Sequence, residues 1–219
     1  MIQNSETLKT WDLLAEAYRD GFMELDLYND TYDQFLSLLV DQNAELLEIG
    51  CGPGNITSYL LQRSSLLRIL AIDTSPNMLK LAAEACPQAK FKRMDARQIN
   101  TLSQKFDGLV CGFCIPYLTQ EECLQLVKDA AQILRKNGIF YLSFIEDKYE
   151  NSAIETSSDG KYSVQVFYHE ADFFEKAFKK FSFQILYTYR KPYIKKNGSQ
   201  STHLIFITRL TLTKLNNLI

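Results

Sequence analysis

The sequence predicts an α/β fold in which helices cover both faces of a parallel sheet that ends in an antiparallel hairpin. Short apolar runs alternate with amphipathic helical patterns over residues 45–145, which favours parallel strands joined by right-handed crossovers. Two later runs alternate apolar and polar residues around a turn, as in a hairpin. With 219 residues, 46% of them hydrophobic, the chain can bury one substantial core.

Composition argues against several classes of partner. The net charge of −2 gives no general attraction to nucleic acid or to an anionic membrane. The first ten residues are polar, and no apolar run is long enough to span a bilayer. The five cysteines are odd in number and scattered, which favours reduced thiols. We therefore expect a cytoplasmic protein without nucleic-acid or membrane partners; monomer and homodimer both remain open.

Two amphipathic helical patterns precede the first strand. Apolar side chains recur at helical spacing from Trp11 to Tyr18 and again from Tyr32 to Leu39. We expect residues 1–40 to form a helical cap. A simple cover for one edge of the sheet is the alternative for these helices.

The chain is organised around residues 46–55. An apolar run containing Glu48 ends in three alternating glycines, and a helical pattern follows, which predicts a buried strand, a tight loop and a helix. Glycine permits unusual backbone angles and lets the main chain approach a ligand closely. The dinucleotide-binding GxGxxG loop is the nearest alternative, but it requires glycine where this chain has Asn55.

A second candidate feature stands at the end of the next strand. Residues 68–72 form a short strand, apolar after Arg68, that ends in Asp73, roughly twenty residues beyond the glycine loop. A carboxylate there can accept hydrogen bonds from both hydroxyls of a ribose. Thr74 or Ser75 can cap the following helix, with Pro76 near its first position. A helix-capping role is the alternative for Asp73.

The third and fourth strands lead into further polar positions. Residues 89–93 form the third strand, which is followed by Asp95. The fourth runs apolar over residues 106–113. Cys111 and Cys114 have the CxxC spacing, but a zinc site needs four ligands and no second pair exists, so we expect no metal.

The remaining elements follow the same logic. Residues 119–122 form a capping box, and cations in the last turn with Gly138 are expected to end that helix before a strand at residues 139–145. A polar insertion over about residues 146–168 includes one short alternating strand. The last two strands form a hairpin whose basic tip, with an Asn-Gly turn, contains three lysines: Lys191, Lys195 and Lys196.

Glu48, the GxGxG loop, Asp73 and Asp95 together resemble the motifs of class I S-adenosylmethionine-dependent methyltransferases. The resemblance covers nearly the whole chain after residue 40. It implies one domain over residues 41–219 with a Rossmann-like, seven-stranded, mostly parallel sheet of order 3-2-1-4-5-7-6, the last strand antiparallel, and helices on both faces.

The resemblance also implies roles for individual residues. Backbone amides of the loop would approach the methionine portion of the cofactor, a carboxylate would hold the ribose, and acidic and apolar groups would surround the adenine. The cofactor-binding residues so predicted are Tyr18, Glu48, Gly50, Cys51, Gly52, Asp73, Thr74, Met78, Asp95, Ala96 and Phe113.

The catalytic groups are less fixed by the resemblance. Relatives of the ubiquinone-biosynthesis type carry a paired histidine where this chain has Pro116 and Tyr117. For a hydroxyl acceptor, which must lose a proton, Tyr117 and His169 are the candidate bases. A structural role at the start of a helix is the alternative for His169.

The predicted function is transfer of a methyl group from S-adenosylmethionine to a small molecule, leaving S-adenosylhomocysteine. The protein's main task would then be alignment of the reactants. The cap and the insertion are expected to form the acceptor pocket, and their Tyr and Phe content indicates an aromatic or partly apolar acceptor. The first alternative is a non-catalytic S-adenosylmethionine-binding protein, and the second, less favoured one is an NAD-dependent oxidoreductase.

Overall fold

The computed structural model describes residues 4–157, 160–195 and 198–211. Two predicted features of the hairpin tip, Lys196 and Asn197, lie outside these ranges.

Three helices come first in the described chain, and strands then alternate with helical segments as far as residue 146. The helices are α1 (Asn4–Leu13), α2 (Ala15–Phe22), α3 (Asn29–Ser37), α4 (Asn55–Arg63), α5 (Pro76–Ala85), α6 (Gln120–Ile133) and α7 (Ala171–Lys180). The strands are β1 (Glu45–Ile49), β2 (Arg68–Asp73), β3 (Lys90–Arg93), β4 (Phe106–Gly112), β5 (Leu134–Glu146), β6 (Ala153–Thr156), β7 (Ser163–Val166), β8 (Phe183–Ile194) and β9 (Gln200–Leu210). Short 3-10 helices cover Ala96–Thr101, Ile115–Tyr117 and Tyr149–Asn151.

The main sheet has the order β3-β2-β1-β4-β5-β9-β8. Strands β1 to β5 pair in parallel, and β9 runs antiparallel to both β5 and β8. Strands β6 and β7 form a separate two-stranded sheet within the insertion. Counted along the chain, the seven main-sheet strands therefore follow the predicted order 3-2-1-4-5-7-6, and the predicted fold class is confirmed.

The N-terminal segment differs in detail from its predicted pattern. The helix expected across Trp11 and Tyr18 is divided at Leu14, whose ψ of 12° departs from helical geometry. Backbone bonds from Leu14 N–H to the Thr10 carbonyl and from Tyr18 N–H to the Leu14 carbonyl bridge the break. The segment is thus kinked: α1 lies against α5 and β7, and α2 lies against α5.

The join between α6 and β5 corrects another prediction. The capping box at Thr119 is present, but the cations expected in the last helical turn lie in β5 instead. Arg135 is held there by ion pairs to Glu45 at 2.6 Å and to Asp107 at 3.0 Å. These pairs tie the start of β5 to neighbouring strands, so the strand begins at Leu134, before the predicted residue 139.

The core lies on both faces of the sheet. One apolar cluster joins the sheet to α6 and α7, and the other joins it to α3 and α4. Among helices within the described ranges, none has the length and apolar character needed to cross a membrane. The sheet is thereby fixed from both sides, and its strand ends present a rigid edge on which a site can be built.

Candidate active site

The loop after β1 turns sharply beneath the carboxyl ends of the strands. Gly50 and Gly52 have φ values of 70° and 53°, in the left-handed region that favours glycine. A Cβ at Gly50 would lie 2.9 Å from Cβ of Cys114, whereas one at Gly52 would point into the gap below the Tyr18 ring, 3.8 Å from its nearest atom. Gly50 thus lets two loops touch, and Gly52 leaves a space open.

The predicted role of the loop amides needs correction. The N–H groups of Gly50 and Cys51 both donate to the Ile72 carbonyl, at 2.9 and 3.0 Å. The N–H of Gly52 donates to Asp73. These amides hold the loop against the end of β2 and do not point freely into a cavity. The glycines therefore shape the site through the absence of side chains.

Asp73 joins the glycine loop to the start of α5. One carboxylate oxygen accepts from Gly52 N–H and the other from Ser75 N–H, each at 2.9 Å. Burial raises the pKa of Asp73, while these backbone hydrogen bonds oppose the rise. Ser75, not Thr74, is the helix cap, accepting from Met78 N–H. Asp73 thus has an oriented carboxylate beside a cavity.

That cavity, called here the Asp73 cavity, lies over the ends of β2, β3 and β4. Its lining residues are Leu8, Trp11, Tyr18, Gly50, Gly52, Asp73, Thr74, Met78, Met94, Asp95, Ala96, Arg97, Gly112, Phe113, Cys114, Tyr117 and Leu118. Of the predicted cofactor-binding residues, the structure brings all but Glu48 and Cys51 together here. The prediction therefore selected residues that are distant in the chain and adjacent in space.

Asp95 is engaged by a neighbouring cation. Arg97 donates to both of its carboxylate oxygens and also pairs with Glu122 at 2.9 Å. Burial works to raise the pKa of Asp95, but the hydrogen bonds from Arg97 prevail and hold that pKa below its ordinary value. Asp95 is therefore an ionised acceptor in a fixed orientation at the cavity wall.

A second cavity lies on the other side of the glycine loop. This tyrosine cavity is lined by Trp11, Tyr18, Phe22, Leu25, Tyr28, Tyr32, Gly50, Cys51, Gly52, Asn55, Ile56, Gly112, Phe113, Pro116, Tyr117, Ile145, Glu155, Tyr193, Lys195 and His203. It shares Gly50 and Gly52 with the Asp73 cavity. The two spaces therefore meet at the loop, which is the arrangement needed for two bound molecules to touch.

Three aromatic residues stand where the cavities meet. The Trp11 ring lies edge-on to Tyr18 and to Tyr117, at centroid distances of 5.5 and 5.6 Å. Burial, together with the charge of Asp73, raises the pKa of Tyr18 to about 12. Burial also raises the pKa of Tyr117 well above its ordinary value. Both hydroxyls therefore keep their protons at neutral pH, and Tyr117 is poorly suited to act as a base.

Helix α1 is fastened across the Asp73 cavity by polar bonds at both sides. Asp12 accepts from the Ser75 hydroxyl at 2.5 Å and from the Asn77 backbone N–H at 3.0 Å, at the start of α5. On the other side, Gln165 N–H of β7 donates to the Thr7 hydroxyl at 3.0 Å. The helix thus links α5 to the insertion and places Leu8 and Trp11 on the cavity wall.

Two predicted site residues lie outside both cavities. Glu48 is 1% exposed, and one of its oxygens accepts from the Thr57 hydroxyl behind the glycine loop. His169 is 0% exposed and donates through Nε2 to the Leu118 carbonyl at 3.1 Å. Burial lowers the pKa of His169 to about 4. The structure gives His169 a contact that fixes the backbone near Tyr117, in agreement with the structural alternative.

The tyrosine cavity contains functional groups that sequence reasoning missed. The Tyr28 hydroxyl oxygen lies 2.5 Å from Nδ1 of His203. The Tyr193 ring stacks on the His203 ring at a centroid distance of 4.7 Å. His203 lies in β9, where the alternation of residues predicts only a strand and gives no separate indication of a site residue. The predicted insertion contributes Glu155 to the described lining, whereas the hairpin contributes Tyr193, Lys195 and His203.

Comparison with known proteins agrees with this geometry. Residues 46–138 match the family model described as a methyltransferase domain. The chain is 32% identical over 120 residues to a putative methyltransferase, 235L, of Invertebrate iridescent virus 6, which covers 53% of this chain and 42% of that protein. It is 46% identical over 61 residues to a trans-aconitate 2-methyltransferase of an Enterobacter species, covering 28% of this chain and 24% of the relative. The matches thus span less than half the length of these curated relatives.

A solved structure extends the likeness beyond residues 46–138. A SAM-dependent methyltransferase from Methanosarcina mazei superposes with a TM-score of 0.70 at 18% identity, covering 81% of this chain and 97% of that one. The predicted resemblance is confirmed: the fold is that of class I S-adenosylmethionine-dependent methyltransferases. Within that fold, residues 46–138 are the part similar to the methyltransferase domain model.

Proposed function

We propose that this protein transfers a methyl group from S-adenosylmethionine to a small-molecule acceptor. The observation that carries the proposal is the junction of two cavities at Gly50 and Gly52, with Asp73 on one side and an aromatic chamber on the other. The methyltransferases named among the relatives and the SAM-dependent methyltransferases among the structural neighbours support the cofactor assignment. When bound, S-adenosylmethionine supplies an electrophilic methyl group.

The Asp73 cavity fits the nucleoside end of this cofactor. Asp73 would accept from the ribose hydroxyls, and Asp95 would accept from the exocyclic amine of adenine, since Arg97 keeps Asp95 ionised. Met78 and Ala96 would pack about the ring. The space above Gly52, which a Cβ would fill, is where the chain would admit the methionine portion beneath Tyr18.

The tyrosine cavity would then hold the acceptor. We propose that residues 1–40 act as a cap, since α1 and α2 supply Trp11 and Tyr18 to both cavities. We also propose that the insertion over about residues 146–168 acts on the acceptor side, through Glu155 and through the bond from Gln165 to α1. Exclusion of water and alignment of the reactants are the contributions this arrangement supports.

We assign Tyr117 a positioning role at the junction and His169 a structural one. The Tyr117 side chain lines both cavities, and burial raises its pKa so that it keeps its proton. The His169 side chain lines neither cavity. Glu48 would act from behind the loop rather than on the cofactor, because its side chain is enclosed by β1 and α4.

We propose a cytoplasmic location and a small molecule, not nucleic acid, as the acceptor. The scattered, unpaired cysteines support the first proposal, and the enclosure of the tyrosine cavity by α2, α3 and the hairpin supports the second. The names of several relatives suggest trans-aconitate as one acceptor to test.

Calorimetric titration of the full chain with S-adenosylmethionine and with NAD tests the function. We expect S-adenosylmethionine to bind, NAD not to bind, and Asp73→Ala to lower the affinity at least about 100-fold, because a charged acceptor and its loop contacts are lost together. Asp33→Ala, which removes an exposed carboxylate that lines neither cavity, is the control. Equal affinity of wild type and Asp73→Ala would refute the cofactor site. Tight binding without S-adenosylhomocysteine formation across a broad acceptor panel, trans-aconitate included, would instead indicate a non-catalytic binding protein.

A further inference from the structure

The Tyr28 and His203 side chains form a buried polar pair in the wall of the tyrosine cavity. Tyr28 is 5% and His203 7% exposed, and both line the cavity. The Tyr28 hydroxyl lies 2.5 Å from Nδ1 of His203, while the Ser201 hydroxyl lies 3.2 Å from Nε2. The pair joins the start of α3 to β9 and so connects the cap to the hairpin.

Packing fixes the plane of the His203 ring. Tyr193 stacks on it with an interplanar angle of 13°, and Phe113 lies against it at a centroid distance of 4.7 Å. Phe113 is itself held in a left-handed conformation with φ 56°, and its N–H donates to the Ser143 hydroxyl at 3.0 Å. Stacking thus holds the plane of the imidazole, and the contacts of Nδ1 with Tyr28 and of Nε2 with Ser201 keep Nδ1 facing Tyr28.

The direction of the hydrogen bond depends on which ring nitrogen of His203 carries the proton. Burial, with a smaller contribution from the charge of Lys195, lowers the pKa of His203 to about 4, so the ring is neutral at pH 7. A neutral ring has one N–H. A phenolic O–H is a stronger donor than its oxygen is an acceptor, and an unprotonated imidazole nitrogen is a strong acceptor. The favoured arrangement therefore has Tyr28 donating to Nδ1, with the ring N–H at Nε2 facing the Ser201 hydroxyl. The oxygen of Tyr28 then offers lone pairs, and no proton, to anything else nearby.

Charge in the cavity is balanced. The charged side chains among its described lining residues are Glu155 and Lys195, which pair with each other at 3.1 Å. Glu155 additionally accepts from the Tyr168 hydroxyl at 2.7 Å. The remaining described wall is mostly aromatic and aliphatic. An anionic acceptor would therefore meet no unpaired cation in this wall and would face the lone pairs of Tyr28.

We propose that the tyrosine cavity selects a neutral aromatic acceptor that donates a hydrogen bond from its hydroxyl group to the Tyr28 oxygen, with His203 as the positioning residue that orients Tyr28. The proposal rests on the proposed function, since it names the acceptor class of that same site. Aromatic walls bind planar molecules. A fixed oxygen that accepts hydrogen bonds strengthens the binding of a molecule with a donor group and weakens the binding of an anion. The proposed preference for a neutral molecule distinguishes this chain from relatives whose names specify a carboxylate substrate.

The test is calorimetric binding of three matched probes to the full chain loaded with S-adenosylhomocysteine. The probes are 2-naphthol, which has a donor, 2-methoxynaphthalene, which has lost it, and 2-naphthoate, which is an anion. We expect 2-naphthol to bind about tenfold more tightly than 2-methoxynaphthalene and more tightly still than 2-naphthoate. Equal or stronger binding of 2-naphthoate would overturn the proposal.

Variants of the pair separate selection from packing. Tyr28→Phe should remove the preference for 2-naphthol and leave 2-methoxynaphthalene binding unchanged. Tyr59→Phe, the same change at a hydroxyl outside both cavities, should alter neither. A matching loss for both neutral probes in Tyr28→Phe would show that the hydroxyl acts only through packing and would contradict the proposal.

The positioning role of His203 has its own readout. His203→Asn keeps an acceptor near the Nδ1 position and should keep the preference. His203→Phe frees the Tyr28 proton, which can then be donated to the oxygen of either neutral probe, and should largely abolish the preference. If His203→Phe does not fold, retention of the preference in His203→Asn and its loss in Tyr28→Phe still decide the matter. Failure of 2-naphthol to bind while S-adenosylmethionine binds normally overturns this inference and leaves the proposed function standing; failure of S-adenosylmethionine itself to bind overturns both.

Discussion

The two cavities that meet at Gly50 and Gly52 are built in different ways. The Asp73 cavity is formed by the ends of adjacent strands, and the N–H groups of its glycine loop donate to the Ile72 carbonyl and to the Asp73 carboxylate. The tyrosine cavity is formed by side chains from segments far apart in the chain, exemplified by the contact between Tyr28 and His203. The Asp73 cavity therefore depends on the shape of the backbone, which few substitutions preserve. The tyrosine cavity depends on the identity of its side chains. One fold can therefore keep its cofactor side and vary its acceptor side.

The largest effect is expected from Gly50→Ala, which tests the dependence on backbone shape. The new Cβ would lie 2.9 Å from Cβ of Cys114 at a φ of 70°. Crowding and left-handed strain together should lower the free energy of unfolding by about 3 kcal/mol. Gly160→Ala is a matched control, because Gly160 has a φ of 71° with nothing within 4 Å. Urea denaturation should show a loss of only about 1 kcal/mol there; equal losses would mean that the contact with Cys114 is unimportant.

A second prediction concerns the carboxyl group behind the glycine loop. Burial raises the pKa of Glu48 from 4.5 to about 8, so the folded chain holds a proton that the unfolded chain releases. Stability from this group is therefore full below pH 4.5 and is lost as pH rises toward 8. Glu48→Gln should remove this loss, so the variant gains stability relative to wild type between about pH 6.5 and pH 8. Denaturation at both pH values checks this, and a difference that does not change with pH would contradict it.

The fastening of α1 connects the two sides of the site. Asp12→Ala removes its bonds to Ser75 and Asn77 and should weaken S-adenosylmethionine binding about tenfold, since α1 would cover the Asp73 cavity less of the time. Faster amide hydrogen exchange in α1 should accompany the loss. Asp20→Ala removes an exposed carboxylate on α2 and should change neither measurement. If both variants bind like wild type, α1 contributes nothing as a cover.

The smallest effect is expected at the outer support of the tyrosine cavity. Lys191 of β8 pairs with Asp30 of α3 at 2.6 Å, and the Asp30 side chain is 58% exposed. Asp30→Asn should therefore lower the free energy of unfolding by less than about 1 kcal/mol, with the difference shrinking as salt is added. Thermal denaturation at low and high salt measures it. A larger, salt-independent loss would show that the hairpin depends on this pair.

The sequence predicted one side of the site better than the other for a physical reason. Gly50, Asp73 and Asp95 each follow a strand, so a local pattern together with sheet topology brings them to one edge. Tyr28 and His203 are 175 residues apart and carry no local signal for their contact. The strand order followed from the family resemblance and the alternating hairpin. The partners of the loop amides could not be predicted, because a pattern does not show which carbonyl an N–H will meet.

The antiparallel placement of β9 has a consequence for how the chain reaches this fold. Strand β5 is apolar and central, yet its partner on one side is β9, which follows it by more than fifty residues along the chain. Until the β8–β9 hairpin inserts, the edge of β5 presents unpaired backbone groups beside buried aliphatic side chains. During synthesis this open edge exists while β6, β7 and α7 are being made, which makes it the point where strand-to-strand association between nascent chains would begin.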